Sequence, residues 1–411
     1  MYKVDEIRKL FPMLNPQKTM QGKPLVFLDN SSTTFKPTCV IDALDKYYRE
    51  ETSNSHRGDY DLCYNMDQEL LEARKAVANF VNCDVNEVVF TSGTTMSINL
   101  VAWCYGMKFL KEGDEILLSE AEHASNLLPW YKVASLKGAK LSFVPLDKEG
   151  RVTLENVKKA LNKNTKIVSL AHIGNVMGFM IDVKGIAKAA HEVGAIMVVD
   201  GAQSVPHIKT NFKDWDIDFL AFSSHKMCGP TGVGALIGKY ELLEKMDPLF
   251  SGGGMNITFD TNGDVEYLEA PVKFESGTLN LAGIMGFKAA INFIDELGID
   301  NIHLHERELR EYAINELEKL DNVIMYNKNA EGSMITFNVK GVFAQDEATL
   351  LNSKGIAVRS GQHCAKILNG FLETPATVRM SIALYTNKGD IDAFVEALRN
   401  GGDILDAYFN D

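Results

Sequence analysis

The sequence predicts an α/β fold: a large domain built on a mostly parallel sheet, followed by a smaller α+β domain towards the C-terminus. Three observations carry that expectation. Between about residues 85 and 240, short β-rich runs alternate with helical patterns. The runs are apolar almost throughout, as strands covered by helices on both faces must be. Beyond the glycines at 252–254 the text changes to a hairpin, two long helices and further strands, the mixture of an α+β unit.

Taken in order, strands are expected at 87–91, 115–119, 140–144, 166–170, 195–199 and 219–223, each running into a polar or glycine-containing turn. A helix is expected over 183–193, because Ile186, Ala187 and Ala190 recur at helical spacing and Gly194 supplies a left-handed stop. Asn262 and Gly263 are the strongest short turn signal in the chain and place a hairpin at 257–267. Helices follow at about 281–297 and 301–320, strands around 323–326 and 334–339, and a last helix over 391–407. The helix at 281–297 is the expected hinge between domains.

Composition narrows the classes. A chain of 411 residues has room for two or three domains and a large core. Its 42 basic against 55 acidic residues leave a net charge of −13, and no Lys/Arg run offers a track for a phosphate backbone, which argues against nucleic-acid binding. The longest apolar runs are strand-sized, far short of the roughly 20 residues that span a bilayer. The first residues mix charge with apolar side chains and lack the apolar core of a secretory signal, so a cytoplasmic location is expected. Six cysteines (Cys39, Cys63, Cys83, Cys104, Cys228, Cys364) contain no C-x-x-C pair, which argues against a disulfide framework or a zinc knuckle, and no metal is expected.

Four constellations carry chemistry. Asp200 closes one expected strand and Lys226 follows the next, 26 residues later. Groups at the carboxyl ends of neighbouring strands in an open α/β sheet converge on one crevice. A lysine amine that can bind an aldehyde and a carboxylate that can face a pyridine nitrogen suggest a pyridoxal 5'-phosphate site; singly, the same residues read as a helix cap and a surface charge. Gly93, Thr94 and Thr95 lie where a strand turns into a helix, either an ordinary N-cap or a phosphate cradle to which Ser223 and His225 would add donors. His123 follows another strand and could stack on a cofactor ring and exchange protons with a substrate, or be a satisfied histidine. Arg359, His363 and Cys364 share a compact segment, with Arg379 following. An arginine can hold a carboxylate bidentately and a thiol beside it can be a nucleophile, while the bland alternative is a buried structural cysteine. Cys228, followed by Gly-Pro and with no base in view, reads as structural.

These segments together resemble the class V aminotransferase family of pyridoxal-phosphate enzymes, and within it the Suf-type (group II) cysteine desulfurases. The resemblance rests on Leu28-Asp-Asn-Ser-Ser-Thr-Thr, His56-Arg-Gly, Thr91-Ser-Gly-Thr-Thr, Glu122-His-Ala-Ser-Asn, Asp200-Gly-Ala-Gln, Ser223-Ser-His-Lys, Gly229-Pro-Thr-Gly-Val-Gly, Ser251-Gly-Gly-Gly, Phe274-Glu-Ser-Gly-Thr and Arg359-Ser-Gly-Gln-His-Cys, all in family order. Cys364 five residues after Arg359 is similar to the compact group II arrangement. The resemblance implies the PLP-dependent transferase fold (fold type I), with a seven-stranded sheet in a large domain over 20–290 and a small α+β domain of 1–19 with 291–411. It implies that Lys226 forms the Schiff base, Asp200 pairs with the pyridine nitrogen, His123 stacks on the ring, Gln203 lies near the phenolic oxygen and Asn175 orients cofactor and substrate. Thr94, Thr95, Ser223 and His225 would bind the phosphate, with Thr278 reaching it from a partner subunit in a homodimer. Arg379 would clamp the substrate carboxylate and Arg359 lie beside Cys364, the thiol that becomes a persulfide as L-cysteine is converted to L-alanine. The sulfur would pass to a SufE- or SufU-type acceptor for iron–sulfur cluster assembly.

The chain departs from the pattern at Ser31-Ser32, where the family usually shows two alanines, and at Gly174 (Ser), Leu279 (Pro), Gln362 (His) and Thr386-Asn387 (Asn-Thr). Selenocysteine lyase and cysteine sulfinate desulfinase use the same lysine and carboxylate clamp and stand as the alternative readings. An aminotransferase of the same fold would need no thiol.

Overall fold

The structure, a computed structural model, describes residues 2–55 and 58–400. The His56-Arg57 pair and the 401–407 portion of the expected last helix lie outside the described residues.

Seven strands form the main sheet: β1 (Val88–Thr91), β2 (Glu115–Ser119), β3 (Lys140–Val144), β4 (Thr165–Ala171), β5 (Ile196–Asp200), β6 (Phe219–Ser223) and β7 (Gly234–Gly238), in the order β1-β7-β6-β5-β4-β2-β3. β7 runs antiparallel to both neighbours and the remaining pairs are parallel. Successive side chains leave a strand on opposite faces, and here both faces are apolar. Val168, Leu170, Met197, Val199, Leu220 and Phe222 join one core cluster, whereas Ile167, Ile196, Val198, Phe219 and Ala221 join a second with Trp130. The expected three-layer α/β architecture follows from that division.

β7 is the one strand of this sheet that periodicity missed, because Gly234-Ala-Leu-Ile-Gly offers only three apolar residues between glycines. The first of those glycines is required by close approach: a Cβ at Gly234 would lie 2.5 Å from the Phe222 carbonyl oxygen and 2.7 Å from Gly93 Cα. The β7 backbone thus packs directly under the turn that follows β1.

Helix α1 (Asp61–Val81) and helix α4 (Leu281–Leu297) pack together on one face of the sheet, with α2 (Thr94–Leu100) and α3 (Val183–Glu192) between them in the chain. α4 has the bounds the periodicity predicts; Asn280 caps it through the Gly283 amide (3.0 Å) and Gly298, at φ +80, ends it. The expected hinge is therefore one unbroken, largely buried helix. The expected hairpin forms as β8 (Asn256–Phe259) and β9 (Val265–Tyr267).

A second, four-stranded antiparallel sheet contains β10 (Val323–Met325), β11 (Met334–Val339), β12 (Arg359–Gly361) and β13 (Thr377–Ser381), ordered β10-β11-β13-β12. Helices α5 (Ile299–Leu317) and α6 (Lys388–Asn400) cover it through Leu309, Ala313, Leu317, Ile391 and Phe394. α6 starts three residues before the expected position because Asn387 and Asp390 cap each other reciprocally, at 3.0 and 2.9 Å.

One buried ion pair ties α1 to the site-bearing edge of the large sheet. Arg74 grips Glu275 as a fork, at 2.8 and 2.7 Å, and Glu275 Oε1 also accepts the Phe90 amide at 2.7 Å. Both side chains are buried, so removing one strands the other as an uncompensated charge. Glu275→Ala is expected to lower unfolding stability by about 3–5 kcal/mol, read from the urea midpoint; a loss below about 1 kcal/mol would show that water reaches the pair.

Candidate active site

The carboxyl ends of β4, β5 and β6 lie side by side, with Asp200 opposite Ala171 on one neighbour and Ala221 on the other. A cavity of about 230 Å³ opens above them. Of the residues given a site role in the sequence, all but Thr278 line it: Thr94, Thr95, His123, Asn175, Asp200, Gln203, Ser223, His225, Lys226, Arg359, Cys364 and Arg379, joined by His363. Thr278 is exposed and stands away from it. A larger groove of about 980 Å³, beside Trp215 and Arg307, contains none of these residues, so convergence of chemistry and not size locates the site.

Hydroxyls gather in the cavity wall. Ser223 Oγ accepts the Thr94 amide at 2.8 Å and lies 2.7 Å from Thr94 Oγ1, while Thr95 Oγ1 lies 2.7 Å from Ser125 Oγ. Gly93, at φ +141, lets the chain turn here; a Cβ would come within 3.0 Å of Ser223 Oγ. The helix begun at Thr94 continues through Val101–Gly106 to Phe109, directing its N-terminus at this corner. Asp200 is buried and accepts the Ala202 amide at 2.9 Å. Lys226 lines the same cavity, and its amine has no hydrogen-bond or ion-pair partner among the described residues. Asn175 Oδ1 and Gln203 Oε1 are buried acceptors without partners, although the amide nitrogen of each side chain is engaged, with His363 O and Ser31 O respectively, both at 2.8 Å. Clustered hydroxyls, an amine, a buried carboxylate and two unsatisfied acceptors in one cavity fit a phosphorylated pyridine aldehyde.

Burial sets the protonation states. It pulls the Lys226 ammonium down to about 8, with Arg379 and Arg359 adding to the fall and Asp200 opposing it. It raises the Asp200 carboxyl, against the Ala202 amide and the Lys226 charge, so a cation facing Asp200 would complete the compensation. His123 is pulled down to about 4 by burial and then by Lys226 and the two arginines. Its Nδ1 accepts the Ser125 amide at 3.1 Å, which leaves the proton of the neutral ring on Nε2. Behind it Glu122, pushed up to about 7 by burial, accepts from Ser119 Oγ, Asn126 Nδ2 and the Ala171 amide and anchors the His123 loop to β4.

His172 and His225 are likewise pulled down to about 4, and His363 to about 3, by burial. With folded values below the ordinary histidine range, these rings and His123 stabilise the fold fully above pH 6.5. That stability is lost as pH falls from 6.5 towards 4, because the unfolded chain binds protons the folded one refuses. Unfolding at pH 5.5 is therefore expected to take up about three and a half protons from this set, offset by about one released from Glu122; the check is histidine ring titration followed by NMR in the folded protein, where any of the four rings protonating near pH 6.5 would contradict it.

Cys364 occupies the mouth of the cavity, exposed. Both it (φ +58) and His363 (φ +49) are left-handed, an arrangement costing about 1 kcal/mol or more per non-glycine residue. The tip is pinned by the His363 ring on Thr377, by Asn175 on the His363 carbonyl and by the Ala124 amide on the Cys364 carbonyl (2.8 Å). Arg359 Nη2 lies 4.0 Å from Cys364 Sγ. Arg379 is 2% exposed and donates to the Asn175 carbonyl at 2.8 Å. Cys228 is buried with its thiol pushed up to about 12, in keeping with a structural role. Sequence reasoning gives no role to Glu122, Ser125 and Asn126, although all three sit in the quoted His123 motif, nor to Asp29 and Ser32, which meet the arginines only through the fold.

Comparison with known proteins agrees with this geometry. The aminotransferase class-V family model matches residues 26–394. A protein of Halalkalibacterium halodurans named a probable cysteine desulfurase is 46% identical over 394 residues, 96% of each chain. One from Staphylococcus aureus with the same name is 42% identical, covering 97% of this chain and 96% of that one. Among solved structures, the Escherichia coli cysteine desulfurase CsdA superposes with a TM-score of 0.90 at 35% identity over 99% of both chains. The cysteine desulfurase of Thermococcus onnurineus gives 0.91 at 35% identity, over 96% of this chain and 97% of that one.

Proposed function

The chain belongs to the class V aminotransferase family, and from that premise we propose that Lys226, His123 and Cys364 carry its chemistry, that of a PLP-dependent cysteine desulfurase. The observation that carries the assignment is the opening of Lys226, Asp200, Cys364 and two arginines into one cavity.

Bound there, pyridoxal 5'-phosphate supplies an aldehyde carbon that captures amines and a protonated ring that accepts the electron pair released at a substrate Cα. Lys226 would hold it covalently, Asp200 would face the ring nitrogen, Gln203 would face the phenolic oxygen, and Thr94, Thr95, Ser223 and His225 would hold the phosphate, completed by Thr278 of a second copy. His123 would lie against the ring, its neutral imidazole free to pass a proton at Nε2. Lys226 would also serve as the base for the Cα proton, and its depressed basicity suits proton transfer near neutral pH. Asn175 and Arg379 would hold the substrate carboxylate. Cys364 Sγ then takes the substrate sulfur: the S–S bond forms as the C–S bond breaks, the carbon gains a proton, and alanine leaves a persulfide on Cys364.

An exposed persulfide at the cavity mouth suits delivery to another protein, in keeping with a SufE- or SufU-type acceptor, iron–sulfur cluster assembly and a cytoplasmic location. The division into 20–290 and 1–19 with 291–411 draws support from the Arg8–Asp390 pair at 2.6 Å, which ties the N-terminal segment to α6, while Val26 and Leu28 join the core of the second sheet from beyond the boundary at 20. The direct test is alanine release from L-cysteine under a thiol reductant with no keto acid added. Alanine is expected. A requirement for a keto acid would make the protein an aminotransferase, and release from selenocysteine or cysteine sulfinate alone would move it to those substrates.

A further inference from the structure

The cavity contains two arginines, and a single side chain joins them. Ser32 Oγ accepts from Arg359 Nη1 at 2.9 Å and from Arg379 Nη2 at 3.0 Å, and it donates to Asp29 Oδ1 at 2.7 Å. A serine hydroxyl has one proton and two lone pairs, so all of its hydrogen-bonding capacity is spent on this junction. Asp29 Oδ1 also pairs with Arg379 Nη2 at 3.2 Å. Two guanidinium charges against one carboxylate leave a net charge of one, matched to a single substrate carboxylate.

The junction is built before any substrate arrives. The 28–32 segment lies along β13, the strand that carries Arg379: the Ser381 amide donates to the Leu28 carbonyl at 2.7 Å, the Ser31 amide to Ser381 Oγ at 2.9 Å, and Asn30 Nδ2 to the Ser381 carbonyl at 2.7 Å. The Ser32 amide closes the turn on the Asp29 carbonyl at 3.1 Å. Backbone therefore fixes the hydroxyl, and the hydroxyl fixes both arginines, which otherwise repel each other. The adjacent Ser31 hydroxyl is buried without a partner, so the threefold engagement is particular to Ser32.

We propose that Ser32 is a positioning residue that yokes Arg359 and Arg379 into one carboxylate-binding fork beside Cys364. This rests on the carboxylate role assigned to Arg379 above. With Ser32 in place Arg379 and Arg359 present their charges to the carboxylate together, Arg359 from its place 4.0 Å from Cys364 Sγ; without it Arg359 loses its tether, and the fork loses its fixed spacing.

The test reads the fork without turnover. Cys364 in the holoenzyme is alkylated by iodoacetate, which carries a carboxylate, and by iodoacetamide, which does not. The ratio of the two rates, quantified on the Cys364 peptide and normalised to the exposed Cys39, cancels thiol reactivity and reports the fork's attraction for a carboxylate. Ser32→Ala is expected to lower that ratio about threefold or more and to raise KM for L-cysteine about tenfold while kcat stays within about twofold. Ser32→Thr, which keeps the hydroxyl, is expected to retain the wild-type ratio. An unchanged ratio and KM in Ser32→Ala, or a Ser32→Thr ratio as low as that of Ser32→Ala, would overturn the proposal. If the desulfurase reading itself failed, wild-type protein would release no alanine from L-cysteine, whereas the alkylation ratio would still report on the yoke.

Discussion

Lys226→Ala is expected to abolish alanine release from L-cysteine, a fall of about ten-thousand-fold or more, while the protein folds as before. The two halves of this expectation come from one fact. Lys226 is a half-buried amine with no hydrogen-bond partner among the described residues, held down to about 8 chiefly by loss of water. Such a group adds nothing to the fold, and the cost of burying its charge disappears with it. The cofactor-free variant should therefore match or exceed the thermal midpoint of cofactor-free wild type. The catalytic loss follows because the same amine would hold the cofactor and move the Cα proton, and neither Lys36 nor Lys239 lines the cavity. Bound pyridoxal phosphate should also become removable by dialysis. A variant that retains covalent cofactor, or more than about a hundredth of the activity, would place the reactive amine elsewhere.

Cys364→Ala is expected to reduce alanine release by about a thousandfold with cofactor content and stability unchanged. The side chain is exposed and at the cavity mouth, so its removal leaves no hole in the core. Backbone strain at φ +58 is the same for alanine as for cysteine, and the pins on this tip, through His363 and the Cys364 carbonyl, do not involve the thiol. Absorbance of the bound cofactor and its response to added L-cysteine should persist, which separates loss of sulfur transfer from loss of binding. Alanine at an undiminished rate would remove the nucleophile from Cys364 and favour a substrate whose carbon–heteroatom bond breaks without thiol attack.

Much of this architecture was legible in the residues themselves because the strands of a covered parallel sheet must be apolar on both faces, and Asp200, His123 and Lys226 each follow such a strand. β7 escaped for the opposite reason: its glycines are dictated by the approach of Gly93 and the Phe222 carbonyl, a tertiary constraint with no periodic signature. β12 and β13 read as the arginine and cysteine motifs they carry, since three to five residues with charged members give no alternation to count. Asp29 and Ser32 were invisible as site residues because their partners lie more than 300 positions away in the chain. Family pattern pointed to Ser31-Ser32 as a departure without saying which hydroxyl mattered; only the backbone path along β13 decides that. Glu122 and Asn126 flank His123 in sequence, but their function as its anchor depends on the Ala171 amide at the end of another strand.

The central claim is that sulfur leaves the substrate onto Cys364. Its most direct test is to mix the holoenzyme with one equivalent of L-cysteine in the absence of reductant and to determine the mass of each cysteine-containing peptide. The Cys364 peptide should gain one sulfur atom, in step with alanine released, while the peptides of Cys39 and Cys228 remain unmodified. Alanine released without added sulfur on Cys364, or sulfur found first on Cys39, would contradict the account.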